Sequence, residues 1–426
     1  MRADEVRAIG ELSRLTLRGG TARVAEAHRS IADRTFGALG RRAEPVKAVH
    51  DAIAGLAYAG VRGALGAGAG LAGAVAALAA DGRDLDEDPA GRWALAVLNG
   101  AHGDLVQRAA PALAVGMSVR VDGRAVPLGT DALRRAFPTA NGRIALFLHG
   151  LTENEASWYR RAERHHGAAD VSYGTQLQRD LGLTPVLVRY NTGLHISDNG
   201  RSLDGLLTGL VAAWPEPVQD VVLIGHSMGG LVARSALHQA GGGTAEAHGW
   251  THLVRDTITL GTPHLGAPLE RGVHALTHTL ARLPETRPLA ALLALRSVGI
   301  KDLRRGTLVE SDWTGRDLDA PGRAGHTHVP LHDGARHFVV LATLPRNPSG
   351  RAADLVGDLL VSPRSALGDT GNDDRLAFEP DHVHRLGGLN HLDLLNHPLV
   401  YERIRDWLVD RPEGPRPDAP ADGAPA

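Results

Sequence analysis

Short apolar runs at Ile144–Leu148, Pro185–Tyr190, Val221–Ile224, Thr257–Leu260 and Phe338–Leu344 constrain this chain more than any other feature, and helical patterns at Leu203–Ala213 and Leu231–Ala240 fall between successive members. A strand that is apolar at consecutive positions, rather than alternating, must be covered on both faces, and crossover helices on a parallel sheet supply that cover. The expected class is therefore α/β, a mostly parallel sheet flanked by helices. Ahead of these runs, Val119–Val126 alternates around Asp122-Gly123, the mark of a tight hairpin.

At 426 residues there is room for such a core and for accessory regions. Residues 1–115 read as a helical N-terminal region, with Val6, Ile9, Leu12 and Leu15 on one face and Val46, Val49, Ile53 and Leu56 repeating the pattern after Pro45. Within it, residues 63–80 carry no charge and are about as long as a short membrane span, with small residues at helix-packing spacing. Alanine and glycine supply little transfer free energy, so a tightly packed helix pair or a surface-attached helix is the plainer reading. The core is expected at 116–263 and 337–411. Residues 264–336, with helical stretches at Val273–Leu283 and Leu289–Leu295, are too long for a simple connection and read as a cap-like insertion. Residues 412–426, rich in Pro, Ala, Gly and Asp, read as a disordered tail.

Composition excludes several function classes. A net charge of −2, with Lys47 and Lys301 the only lysines, argues against a nucleic-acid partner, which calls for a basic excess on one face. With Cys 0, disulfides, thiolate metal sites and a cysteine nucleophile are ruled out. Charges interrupt the first residues, Met1-Arg2-Ala3-Asp4-Glu5-Val6-Arg7, and no secretory signal is read there. The expected location is cytoplasmic, with peripheral membrane contact through the N-terminal helices an open alternative.

The chemistry concentrates in Val221-Val222-Leu223-Ile224-Gly225-His226-Ser227-Met228-Gly229-Gly230-Leu231: an apolar strand, a G-x-S-x-G turn, then a helix. Gly225 and Gly229 flank the serine because a turn this tight crowds any Cβ. The turn lifts the Ser227 hydroxyl clear of the sheet, beside a helix N-terminus. Ser227 is the expected nucleophile. An earlier strand ends in His149-Gly150-Leu151-Thr152, and its position marks that loop as the source of one oxyanion-hole amide. Leu151 and Met228 are the expected backbone donors, with Gly150 forming the turn and His149 bracing the loop rather than acting as the base.

A serine nucleophile needs a base and an acid to orient it, and on such a turn they follow in the order Ser, Asp or Glu, His. His391 lies in a loop after a last short strand, and His397, just before Pro398, is its competitor, read otherwise as a helix-entry residue. Asp358, followed by an apolar run, is favoured as the acid over Asp354 and Asp369, because partial shielding strengthens its hold on an imidazolium. His382 and His384 would point to one face if both lay on a strand; two exposed histidines are the expected reading rather than a metal site.

Together the segments HGLTENEASW (149–158), RYNTGLHISDNG (189–200), GHSMGG (225–230), LGTPHLGAPLE (260–270), GDLLVSPRSALG (357–368) and LNHLDLLNHPLVYERI (389–404) resemble bacterial lipases and esterases of the α/β-hydrolase superfamily. The likeness is greatest to the group similar to GPI-inositol deacylases and triacylglycerol lipases. It covers roughly residues 140–410. The resemblance implies the α/β-hydrolase fold, a triad of Ser227, Asp358 and His391, an oxyanion hole near Leu151 and Met228, and hydrolysis of a carboxylic ester with no metal or organic cofactor. An acyltransferase using the same triad, or a non-catalytic scaffold bound to a membrane or partner, fits the same residues.

Overall fold

Eight strands form one sheet: β1 (Ser118–Val121), β2 (Arg124–Val126), β3 (Arg143–Leu148), β4 (Thr184–Arg189), β5 (Asp220–His226), β6 (Val254–Leu260), β7 (Arg336–Thr343) and β8 (Val383–Gly387). The computed structural model describes residues 84–241, 249–267, 296–318, 327–371 and 375–410, together with Glu5. The expectations for the remainder of residues 1–83, for Val273–Leu283 and Leu289–Leu295, and for the tail lie outside those residues.

The strand order is β2-β1-β4-β3-β5-β6-β7-β8. β1 runs antiparallel to both β2 and β4, and every other pairing is parallel. Asp122 and Gly123 close the β1–β2 hairpin with positive φ values of 49° and 80°, the turn conformation that an Asp-Gly pair favours.

Period-two alternation sorts the strand side chains into two cores. On one face Ile144, Leu146, Leu148, Val186, Val188, Val221 and Leu223 pack against helices Ile196–Ala213 and Met228–Gly241. On the other, Ala145, Phe147, Val222, Ile224, Ile258, Phe338 and Val340 meet helices Tyr173–Leu181 and Pro398–Val409. β5 is buried at every position, which is why its sequence is apolar without alternation.

The helix at Ile196–Ala213 starts well before the apolar pattern at Leu203. Its first turns bury polar Ser197 and Asn199, and its opening amide, Ile196 N, donates to Asp302 at 2.9 Å, so a distant carboxylate supplies the start signal. His382 closes a 3₁₀ turn (Pro380–His382) instead of lying on β8 with His384. Neither histidine is exposed, contrary to expectation: His382 packs on the Phe338 ring, 4.1 Å between centroids, and His384 meets Trp407 edge-on.

The described part of the N-terminal region is helix Pro89–Ala109, capped by the Asp88 carboxylate on Gly91 N (2.9 Å) with Pro89 in its first turn. It bends at His102, where φ is −143°. At the bend Ser297 inserts, its hydroxyl donating to the Gly100 carbonyl at 2.7 Å and its amide to that of Ala101 at 2.8 Å. Just upstream, Asp86 pairs with Arg189 on β4 and Arg120 on β1, so this segment is tied to the sheet by charge. Among the described residues, no helix is long and apolar enough to cross a membrane.

Candidate active site

Ser227 follows the last residue of β5 and precedes the helix at Met228. Between residues 220 and 237 it is the one residue that is not buried. Its φ of 51° places it in the left-handed region, a conformation that costs a non-glycine residue about 1–3 kcal/mol and persists only where the surroundings impose it. The imposition is visible. The Ser227 amide donates to the Leu260 carbonyl at the end of β6 (2.8 Å), and the Ser227 carbonyl accepts from Gly230 N. A Cβ on Gly225 would stand 2.4 Å from Gly230 N, and one on Gly229 would stand 2.2 Å from the Leu148 carbonyl oxygen. Both glycines are thus required by close backbone approach. Met228 opens the helix, so its amide is among those with no intrahelical acceptor.

The loop after β3 is fixed on both sides of Leu151. Gly150 N donates to Glu153 Oε2 at 2.7 Å, and Thr152 N donates to Thr192 Oγ1 at 3.2 Å. His149 is fully buried, with its ring stacked 4.5 Å from that of Tyr190. Its Nε2 accepts from Tyr190 N (3.4 Å), so the proton sits on Nδ1, which donates to the Gly150 carbonyl at 3.0 Å. Burial lowers its pKa, and a neutral ring with both nitrogens engaged holds the loop.

His391 and Asp358 converge from different parts of the chain. His391 Nδ1 lies 2.7 Å from Asp358 Oδ2, and the His391 amide donates to the Asp358 carbonyl at 3.2 Å. The carboxylate is held in turn: its Oδ1 accepts from Leu360 N at 2.9 Å and Val361 N at 2.8 Å. Asp358 is 1% exposed and sits between Gly357 and Leu359, both at positive φ. His391 begins a 3₁₀ turn (His391–Leu395) rather than lying in an open loop, and Asn390 caps that turn by accepting from Leu392 N and Asp393 N. The ring packs over Gly261, where an added Cβ would come within 3.0 Å of His391 Cε1. Gly261 adjoins Leu260, the residue that anchors Ser227.

The alternatives stand elsewhere. Asp354 and Asp369 are exposed. His397 is the N-cap of helix Pro398–Val409, its Nδ1 accepting from Leu399 N at 3.3 Å.

Sequence reasoning missed Glu153 and His226. Glu153 Oε2, already bonded to Gly150 N, also lies 3.0 Å from His226 Nδ1, while His226 Nε2 reaches the His391 carbonyl at 3.2 Å. Burial alone would lower the His226 pKa, but the Glu153 carboxylate carries it above its ordinary value. Burial likewise works to raise the Glu153 carboxyl, and His226 brings it below the usual carboxylate value. The available signal was the spacing of Gly150 and Glu153, which lets an acid reach back to an amide at the head of a turn, as in a capping box.

The sheet is mostly parallel and has helices on both faces, an α/β arrangement. Residues 166–327 match the family described as "PGAP1-like alpha/beta domain". The matched stretch contains Ser227 but neither Leu151 nor Asp358 and His391. No curated protein matches the sequence. Solved structures similar to this chain include the mature Bacillus licheniformis lipase BlEst2, with 18% identity, a TM-score of 0.38 and coverage of 63% of this chain and 92% of that one. Others are the metagenomic carboxyl esterase MGS0156 (14%, 0.36, 67% and 79%) and the Legionella pneumophila phospholipase PlaB (15%, 0.37, 62% and 59%).

Proposed function

We propose that this protein hydrolyses carboxylic esters through an acyl-enzyme on Ser227. The observation that carries this reading is the 2.7 Å contact between His391 Nδ1 and the doubly braced Asp358 carboxylate, with the ring against Gly261, the neighbour of the residue that anchors a strained, partly exposed serine. A carboxylate on Nδ1 keeps that nitrogen protonated and leaves Nε2 with a lone pair, the tautomer a general base needs.

In this mechanism His391 Nε2 takes the Ser227 proton as Oγ attacks the ester carbonyl. The oxyanion is held by the Leu151 and Met228 amides, main-chain donors whose positions are set by the flanking bonds and by the helix start. Collapse expels the alcohol, protonated by His391. Water, deprotonated by the same ring, attacks the acyl carbon, and collapse releases the acid as His391 returns the proton to Ser227 Oγ. Each step moves one proton between the imidazole and Ser227, the leaving alcohol or water, and Asp358 stabilises the imidazolium without being protonated.

The test is turnover of p-nitrophenyl butyrate together with labelling by a fluorophosphonate. Ser227→Ala should lower kcat by about 10⁴-fold or more and abolish labelling. Full turnover by that variant would end the proposal.

A further inference from the structure

We propose that Glu153 and His226 act as a positioning pair, holding the oxyanion turn and the turn that carries the base in register with Ser227. The inference rests on the triad reading above and adds two residues that touch no reacting atom.

The available donors fix the charge state of the His226 ring. His226 Nδ1 faces a carboxylate oxygen at 3.0 Å and Nε2 faces a carbonyl oxygen at 3.2 Å. Neither partner can donate, and a neutral imidazole has only one N–H, so both contacts are hydrogen bonds only if the ring is an imidazolium. Glu153 supplies its counter-charge.

These bonds end on the turns beside the proposed nucleophile, oxyanion donor and base. One oxygen, Glu153 Oε2, takes both Gly150 N and His226 Nδ1, so the residue before Leu151 and the residue before Ser227 share a single anchor. The far side of the same ring grips the backbone carbonyl of His391 itself. Three segments distant in sequence, at 150–153, 226–227 and 391, thus meet on one imidazole. Space is used up as well, since a Cβ on Gly150 would lie 3.0 Å from both Glu153 Oε2 and His226 Nδ1. Trp158, fully buried, closes the ring's surroundings with an edge-on contact at 6.4 Å.

A buried ion pair contributes little net stability over an apolar pair of the same shape, because desolvation offsets attraction. What this one fixes is location. Each imidazole has its own carboxylate, Glu153 for His226 and Asp358 for His391, so protonation of His391 during acyl transfer brings the four groups to net neutrality.

The experiment compares wild type, Glu153→Gln, His226→Gln, the double variant and Ser227→Ala in the full chain. Each single substitution at the pair should lower kcat on p-nitrophenyl butyrate by about 10- to 100-fold with KM within about twofold, while the far-ultraviolet circular dichroism is retained. The double variant should lose no more than the worse single one, since both break the same connection. Unchanged kcat in Glu153→Gln, or losses that multiply, would overturn the pairing. A second readout stands apart from activity: ¹⁵N shifts of the His226 ring should show both nitrogens protonated at pH 8 in wild type and a neutral ring in Glu153→Gln. A neutral His226 in wild type overturns the proposal even if turnover falls. If Ser227→Ala retains turnover while His226 is doubly protonated, the triad reading fails and the ion pair does not.

Discussion

The amide of Ser227 donates to the carbonyl of Leu260 at 2.8 Å, and this bond joins the turn after β5 to the end of β6. Leu260 precedes Gly261, against which the His391 ring rests. The end of β6 therefore supports both the proposed nucleophile and the proposed base, and the predictions below follow from supports of this kind.

Asp358→Asn keeps an oxygen for the Leu360 and Val361 amides but can turn an NH₂ toward His391 Nδ1. The ring would then carry its proton on Nε2, the wrong nitrogen for a base. Steady-state kinetics should show kcat reduced by about 10⁴-fold, with binding of substrate little changed. A loss smaller than about tenfold would remove Asp358 from the mechanism.

His397→Ala removes an N-cap and nothing the proposed chemistry uses. It should cost about 1 kcal/mol in urea denaturation and leave kcat within about twofold. A collapse of kcat with stability intact would transfer the base from His391 to His397.

Gly229→Ala would drive a Cβ to 2.2 Å from the Leu148 carbonyl oxygen, a backbone atom that cannot rotate away. The helix would have to lift from β3, at a cost of about 3 kcal/mol. The urea midpoint measures this directly, and an unchanged midpoint would show that the contact yields.

Acid should destabilise the protein through histidines buried in the neutral form. Burial holds the His337 pKa down at about 4, and burial, with Arg234 and His337 nearby, keeps that of His264 well below 6.5. The unfolded chain binds these protons first, so the contribution is complete above the unfolded value of about 6.5 and is lost as pH falls toward 4. For His337 the loss amounts to about 3 kcal/mol. Urea midpoints at pH 7, 5.5 and 4.5 should fall in that order, and His337→Gln should flatten the trend.

Much of the architecture was legible because it depends on local pattern. The apolar runs became β3 to β7 within a few residues of their expected limits, and Asp122-Gly123 closed the hairpin. Long-range support was not legible. β6 begins at Val254, ahead of the apolar run, because buried Asp256 pairs with Arg336 Nε at 2.7 Å, a partner in another strand. Helix Ile196–Ala213 borrows its start from Asp302 for the same reason. At the candidate site, the proposed nucleophile Ser227 lies in a contiguous motif, whereas His226 and Glu153 carry meaning only once His391 is folded against them.

The bent helix at Pro89–Ala109 bears on how the protein is cut for study. Gly100 lies against Thr152, and Gly103 against Asn191, whose side-chain amide donates to the Gly103 carbonyl at 3.2 Å. A shortened gene product starting at residue 116 would strip a wall from the loops beside the proposed oxyanion amides and deprive Arg120 and Arg189 of Asp86. Where an α/β core is excised at its first strand, diminished catalysis here would report missing scaffolding rather than missing chemistry.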